Sequence, residues 1–125
     1  MPIMGIGTDI IEIQRVETQL ERGSRLAKRV LTERELVDFE AHNQPARFLA
    51  KRFAAKEAAA KAMGTGIGRG ISFQHFEISH DESGRPLLVL SGNAEQRAKE
   101  CGITATHISI SDEQHYATAV VILES

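Results

Sequence analysis

Residues 53–66 read FAAKEAAAKAMGTG and place a carboxylate, Glu57, inside an alanine-rich run that is typical of a buried helix. A buried carboxylate costs free energy unless a cation or hydrogen-bond donors compensate its charge. Lys61 follows one helical turn later, so an exposed Glu57–Lys61 ion pair is one interpretation. If the pair is buried, a metal ion or a ligand phosphate would supply further compensation. Spacing alone leaves both interpretations open.

Asp9 is a second isolated carboxylate, two residues after Gly7 in the segment GIGTD. Two separated carboxylates suit Mg²⁺, which binds oxygen ligands and is commonly held by one or two carboxylates, waters and substrate phosphates. A capping or turn role for Asp9 is the alternative. Zinc is disfavoured because the five histidines lack the usual zinc-site spacings; they are His42, His75, His80, His107 and His115.

Other motifs are weaker. The glycine-rich segment GTGIGRG follows a predicted helix and lacks strict GxGxxG spacing, so it does not predict a Rossmann site, although its N–H groups could approach a phosphate or a base. No GxxxxGK[ST] or GxSxG motif is present.

His107, Ser109 and Ser111 share one face of a predicted strand, where a polar face is the default interpretation. Cys101 is interpreted as a small apolar residue at a helix end.

Local patterns predict the elements that position these residues. Residues 3–13 form a strand that places Gly5, Gly7 and Asp9 on one face. Residues 15–31 form a helix that is broken at Gly23–Ser24, where Ser24 can cap the second piece. Thr32–Glu35 is a capping box that begins a short helix, and a central helix runs from Pro45 to about Met63, ending at Gly64.

The second half of the chain alternates hairpins with one helix. SFQHFEIS and LLVLS, joined by DESGRP, predict a first hairpin, and residues 93–101 predict a helix closed by Gly102. THISIS and YATAVVILE, joined by DEQH, predict a second hairpin. Strands mixed with helices, and mainly hairpin connections between strands, indicate one α+β domain over residues 1–125, mainly an antiparallel sheet packed on the long central helix.

Composition narrows the class of protein. The chain has 125 residues, of which 42% are hydrophobic, enough for one modest core. No stretch is long enough to predict a membrane span, and residues 1–10 lack the pattern of a secretory signal. With one cysteine, no internal disulfide is possible, and a reducing cytoplasm is the expected compartment.

Charge is unevenly distributed. Eleven of the fifteen Lys and Arg residues lie in residues 15–61 with seven of the seventeen acids, so this stretch carries +4 and the remainder −6. A cationic half on a weakly acidic chain suggests an anionic partner, and a solvated helix face is an equally good interpretation.

Three blocks together resemble one family. GIGTDIIEIQRVE at the start, RFLAKRFAAKEAAAKAMGTGIG in the middle and HxSxS…YAxAxV near the end resemble the short bacterial phosphopantetheinyl transferases, the holo-acyl-carrier-protein synthase family, from Ile3 to Glu124. The resemblance implies transfer of the 4′-phosphopantetheine arm of coenzyme A to a serine hydroxyl of apo acyl carrier protein, releasing 3′,5′-ADP and supporting fatty acid biosynthesis. It makes Asp9 and Glu57 the Mg²⁺ ligands, and Glu57 and Lys61 the catalytic residues.

The resemblance also implies further contacts. Lys61 would contact the phosphates, His107 would touch coenzyme A, and Gly64, Gly66 and Ile67 would line the nucleotide pocket. A basic first helix would bind the acidic carrier protein through Arg15, Arg22, Arg25 and Arg29. Short members are homotrimers whose coenzyme A site is shared between neighbouring subunits. Many relatives have a histidine where this chain has Asp112, which puts a role of this turn in substrate contact in doubt. The resemblance does not assign the general base, which could be Glu57, a metal-bound water or another carboxylate.

Two other functions remain as alternatives. The basic half could bind nucleotides or single-stranded nucleic acid, but one tyrosine and no tryptophan make a poor stacking platform, so no nucleic-acid partner is expected. A trimer that binds coenzyme A without catalysis is the other alternative. No membrane partner is expected.

Overall fold

The computed structural model describes residues 2–125, which form five helices and five strands within that range. In chain order these are β1 (Ile3–Glu12), α1 (Ile13–Glu21), α2 (Arg25–Val30), α3 (Glu33–Ala41), α4 (Pro45–Ala62), β2 (Phe76–His80), β3 (Pro86–Leu90), α5 (Gly92–Glu100), β4 (Ala105–Asp112) and β5 (Tyr116–Glu124). A single 3₁₀ turn, Phe73–His75, precedes β2.

The helix ends follow local sequence chemistry. Thr32 caps α3 in a reciprocal box with Glu35, as predicted. Pro45 occupies the first turn of α4, and Gly64 beyond its C-terminus has φ of +80°, a left-handed conformation that favours glycine. Two predictions were wrong in detail: the Ser24 side chain makes no capping hydrogen bond, and SFQHFEIS begins with the 3₁₀ turn before it becomes a strand.

The strands form two antiparallel sheets. One has the order β1–β5–β4 and the other is the β2–β3 hairpin. In the three-stranded sheet, Asp9 is opposite Ala119, and His107 is opposite Ile122. Helices and antiparallel sheets on a long central helix confirm the predicted α+β fold class.

The inner face of the three-stranded sheet packs on α4. A Cβ atom on Gly7 would lie 2.0 Å from the Ala58 carbonyl oxygen, and one on Gly5 would lie 1.9 Å from the Ala62 carbonyl oxygen. Both contacts are to helix backbone, so only glycine permits this approach. The close packing brings Asp9, two residues further along the same strand face, beside α4.

The outer face of this sheet is solvent-exposed in the single chain. Ile6 and Ile10 of β1 are 65% and 62% exposed, and they pair with Ile122 and Thr118 of β5. His107, opposite Ile122, belongs to the same face. Among the helices of residues 2–125, none is long and apolar enough to cross a membrane.

Candidate active site

Asp9 and Lys61 form an ion pair between β1 and α4. The Lys61 Nζ donates hydrogen bonds to the Asp9 Oδ1 at 3.0 Å and to the Thr8 carbonyl oxygen at 3.1 Å. Lys61 remains half-exposed, whereas the Asp9 side chain is largely covered. The Glu57–Lys61 ion pair considered from spacing is therefore not formed, because Lys61 pairs with Asp9 across the helix–strand contact.

Glu57 lies one turn before Lys61 on α4, and its carboxylate interacts electrostatically with that of Asp9. Within residues 2–125, the Glu57 side chain has no hydrogen bond and no ion pair within 4 Å. Burial and then the Asp9 carboxylate raise the pKa of Glu57, while the positive charges of Lys61 and Arg29 lower it. The nearby positive charges therefore do not fully offset the burial of Glu57 and the repulsion from Asp9.

This donor set fits a divalent cation with oxygen ligands. Asp9 and Glu57 contribute two carboxylates, and one of them has no protein partner in the described chain. No group of three or more His, Cys, Asp and Glu side chains within residues 2–125 could enclose a metal. Mg²⁺ commonly uses one or two carboxylates and completes its shell with waters and substrate phosphates, so the two-carboxylate set matches its requirements.

Basic residues of α1 and α2 adjoin these carboxylates. Asp9, Arg15 and Arg29 line one cleft of about 460 Å³, together with Phe53. The structure therefore brings two of the four predicted carrier-binding arginines into the cleft that contains Asp9.

A neighbouring cleft extends the basic surface. Arg22, Arg25 and Arg29 line this second cleft, which measures about 450 Å³. Arg29 belongs to both clefts, so all four predicted arginines lie along one continuous surface that leads to Asp9.

The glycine loop after α4 has an ordered internal hydrogen-bond network. The N–H groups of Gly64 and Gly66 donate to the carbonyl oxygens of Lys61 and Ala60, and the Gly68 N–H donates to the Ile71 carbonyl oxygen. These amides have no free hydrogen for a phosphate in this conformation. Space above Gly64 and Gly66 is open, while Ile67 packs against the core.

His107 is not brought to Asp9 within one chain. Its ring lies on the outer face of the sheet, where Nε2 is 2.6 Å from the Glu124 Oε1. Asp9 projects from the inner face of the same sheet toward α4. The sheet itself therefore separates His107 from the Asp9, Glu57 and Lys61 group of its own chain.

Asp112 anchors the turn between β4 and β5. Its Oδ2 accepts a 2.8 Å hydrogen bond from Arg47 Nη1, and its Oδ1 lies 3.3 Å from Lys51 Nζ. Burial works against the charged form, but Arg47 and Lys51 outweigh it and hold the pKa of Asp112 below its usual value. Arg47 also donates to the carbonyl oxygens of Glu113 and Gln114. Asp112 thus ties this turn to α4.

Sequence reasoning missed a buried charge cluster beside the site. Lys56 is fully buried, Glu35 is 1% exposed and Arg52 is 7% exposed. The capping-box pattern explains Glu35 only as a helix cap, and the predictions from sequence assign no role to Lys56. The available signal was the same one that singled out Glu57: Lys56 is a charged residue in the same alanine-rich run.

Known families and proteins match the whole chain. The family model of the 4′-phosphopantetheinyl transferase superfamily matches residues 5–121. A holo-(acyl-carrier-protein) synthase of Shewanella woodyi is 60% identical over 131 residues, covering 98% of this chain and 99% of that protein.

Solved structures share the fold. The crystal structure of a holo-(acyl-carrier-protein) synthase from Neisseria meningitidis matches with a TM-score of 0.93 and 41% identity, covering 99% of this chain and 100% of that one. A holo-(acyl-carrier-protein) synthase from Bacillus anthracis, solved in complex with CoA (3′,5′-ADP), matches with a TM-score of 0.81 and 40% identity, covering 98% and 97%.

Proposed function

The chain belongs to the 4′-phosphopantetheinyl transferase superfamily, and on this premise we propose that it is a Mg²⁺-dependent enzyme of fatty acid biosynthesis. It transfers the 4′-phosphopantetheine arm of coenzyme A to a serine hydroxyl of apo acyl carrier protein and releases 3′,5′-ADP. The whole of residues 1–125 forms one phosphopantetheinyl transferase domain. A cytoplasmic location accords with the single cysteine, which leaves no internal disulfide to form.

The observation that carries the proposal is the convergence of Asp9 and Glu57 across the contact between β1 and α4. Glu57 lacks a partner in the described chain, and its raised pKa reflects burial and the nearby Asp9 carboxylate. Residues that tolerate such uncompensated charge are frequent at functional sites. Asp9 and Glu57 would hold Mg²⁺, which when bound supplies Lewis-acid stabilisation to the pyrophosphate of coenzyme A.

Lys61 has a second role in the proposal. Its Nζ neutralises Asp9 in the free protein and is half-exposed, so it can turn toward a bound phosphate. A lysine near the transferred phosphorus stabilises the negative charge that develops on the phosphoryl oxygens. The loop that contains Gly64, Gly66 and Ile67 adjoins the end of the same helix and would line the nucleotide pocket.

The basic surface supports an acidic carrier protein as the second substrate. Arg15, Arg22, Arg25 and Arg29 lie along the clefts that lead to Asp9. A carrier protein held there by its acidic side chains would present its serine hydroxyl to the carboxylate site. Complementary charge of this kind mainly raises the association rate and fixes the orientation of the partner.

The placement of His107 supports a homotrimer with shared sites. His107 would contact coenzyme A, yet the sheet separates it from the carboxylates of its own chain. The outer face that contains His107 also has the exposed apolar side chains of Ile6 and Ile10. Exposed apolar patches commonly mark protein–protein interfaces. A neighbouring subunit that covers this face would bury Ile6 and Ile10, and in the proposed trimer that subunit would supply the carboxylates that share a coenzyme A site with His107.

Intact-mass spectrometry of the carrier tests the activity. The protein is incubated with apo acyl carrier protein, coenzyme A and Mg²⁺, and release of 3′,5′-ADP is measured in parallel. The carrier is expected to gain one phosphopantetheine arm, and a carrier whose acceptor serine is replaced by alanine should gain none. A native carrier that keeps its mass would overturn the enzymatic function and leave only coenzyme A binding.

A further inference from the structure

A buried cluster of charge lies immediately beside the proposed metal ligand Glu57. Lys56 Nζ donates hydrogen bonds to the Glu35 Oε1 at 2.5 Å and to the Val30 carbonyl oxygen at 2.7 Å. The Glu35 carboxylate also accepts hydrogen bonds from the Thr32 N–H at 3.0 Å and from the Ile78 N–H at 2.9 Å. Glu35 thus accepts three hydrogen bonds, from α4, from β2 and from the residue that caps its own helix α3.

Arg52 is the third charged residue of the cluster, but its Nε does not hydrogen-bond Glu35. This atom is 3.6 Å from the Glu35 Oε2 and has no hydrogen-bond partner within residues 2–125. The Arg52 guanidinium stacks over the Phe48 ring at 4.4 Å. Glu35 therefore keeps a nearby cation even where Lys56 is removed, which makes substitution of Lys56 a usable experiment.

At this cluster, three other elements meet α4. Val30 ends α2, Glu35 belongs to α3, Ile78 lies in β2, and Lys56 and Arg52 are on α4. Consecutive residues on an α-helix are rotated by about 100°. Holding Lys56 against this cluster therefore fixes which direction its neighbour Glu57 faces.

Stability alone is a poor explanation for these buried charges. Desolvation makes buried ion pairs costly, and apolar replacements of similar volume are often as stable. A buried pair can instead specify one arrangement among several of similar energy. Most of the buried side chains of α4 are small alanines, and the Lys56–Glu35 contact adds a directional constraint that contacts between such apolar side chains lack.

We infer that Lys56 and Glu35 are positioning residues, which together set the rotation of α4 and so aim the Glu57 carboxylate at Asp9. The inference rests on the proposed function in that Glu57 is taken as a metal ligand. Lys56 acts through its neighbour and does not contact substrate, since its Nζ is buried on the side of α4 that faces Val30 and Glu35.

The test compares Lys56→Met with a control substitution at a buried position outside the cluster. Ala98→Gly, on α5, removes a buried methyl group from an element that makes no hydrogen bond to Glu35, Lys56 or Arg52, and it serves as that control. Mn²⁺ binding is measured by electron paramagnetic resonance, and kcat and the KM for carrier are measured separately. Lys56→Met should bind Mn²⁺ about tenfold or more weakly and lose kcat with little change in carrier KM, whereas Ala98→Gly should keep its Mn²⁺ affinity.

Crystal structures of the metal-free wild type and Lys56→Met separate this inference from the proposed function. A shifted Glu57 carboxylate relative to Asp9 in the variant supports the positioning role, whether or not the wild type transfers an arm. An unmoved Glu57 with unchanged Mn²⁺ affinity overturns it. Should Lys56→Met fail to fold, Lys56→Leu, which also removes the donor to Glu35 but has a shorter side chain, is measured in its place against the same outcomes.

Discussion

The Lys61 Nζ lies 3.0 Å from the Asp9 Oδ1, so the lysine occupies one oxygen of a proposed metal ligand in the free protein. A cation that binds Asp9 must compete with this ammonium group. In the proposed function, Lys61 would therefore have opposite effects on two steps: it would weaken metal binding to the free enzyme, and it would stabilise phosphate charge during transfer.

Lys61→Met should separate these two effects. We expect Mn²⁺ to bind the variant more tightly than the wild type when coenzyme A is absent, and the transfer rate to fall roughly 100-fold, the usual scale for loss of one electrostatic donor. Titration calorimetry and carrier mass measure the two quantities. Lys99→Met, which removes an exposed lysine on α5, is the control. Weaker Mn²⁺ binding in Lys61→Met would contradict the competition.

Glu57 should make stability depend on pH in the metal-free protein. Burial and Asp9 raise the pKa of Glu57 above that of the unfolded chain. A group shifted in this direction contributes stability at low pH that is lost as pH rises through its folded pKa. With EDTA present, Glu57→Gln should therefore have a higher Tm than the wild type at about pH 7.5, and the difference should shrink toward about pH 4, near the ordinary glutamate pKa.

Thermal unfolding followed by circular dichroism measures this difference. Glu82→Gln, an exposed position in the turn between β2 and β3, is the matched control and should show no such pH-dependent gain. A Glu57→Gln Tm equal to or below that of the wild type at neutral pH would mean that the Glu57 charge is already compensated in the free protein.

Reversal of charge at Arg22 should weaken carrier binding. Arg22 lines the basic cleft that continues toward Asp9. Arg22→Glu should raise the carrier KM several-fold at low ionic strength and reduce its salt dependence, because screened attraction between exposed charges is lost. Arg85→Glu, an exposed arginine in the turn before β3, is the control for net charge. Equal KM values for the wild type and Arg22→Glu would exclude Arg22 from the carrier surface.

Shared sites predict complementation between inactive subunits. In a mixed trimer of His107→Ala and Glu57→Gln chains, some sites combine an intact Glu57 from one subunit with an intact His107 from its neighbour. Co-expression should therefore restore a fraction of the activity that neither variant shows alone, measured as carrier modified per minute. Co-purified mixtures as inactive as the separate variants would contradict a site shared between chains.

Local patterns predicted the elements well because their signals are short-range. The Thr32–Glu35 capping box, Pro45 and Gly64 each act within one turn of chain, so α3 and α4 could be placed from sequence. The period-two pattern of β1 likewise placed Gly5 and Gly7 on the face that contacts α4. Family resemblance then selected Asp9 and Glu57 from the other carboxylates as the expected metal ligands.

The features that could not be predicted from sequence depend on contacts between residues that are far apart in the chain. The partner of Lys61 is Asp9, 52 residues away, and helical spacing alone suggested Glu57. Glu35 satisfied a local capping rule, which concealed its contacts with Lys56 and Ile78. Likewise, the outward position of His107 depends on the register of β4 against β5, which no short motif specifies.

The most direct test of the carboxylate site is the initial rate of carrier modification by Asp9→Asn and Glu57→Gln, measured by intact mass with coenzyme A and Mg²⁺. Loss of one metal ligand should remove several kcal/mol of transition-state stabilisation, so we predict rates at least about 100-fold below the wild type in both variants, with far-UV circular dichroism unchanged. Glu95→Gln, an exposed carboxylate on α5, should retain the wild-type rate. A folded Asp9→Asn or Glu57→Gln variant that modifies the carrier at the wild-type rate would contradict the central claim.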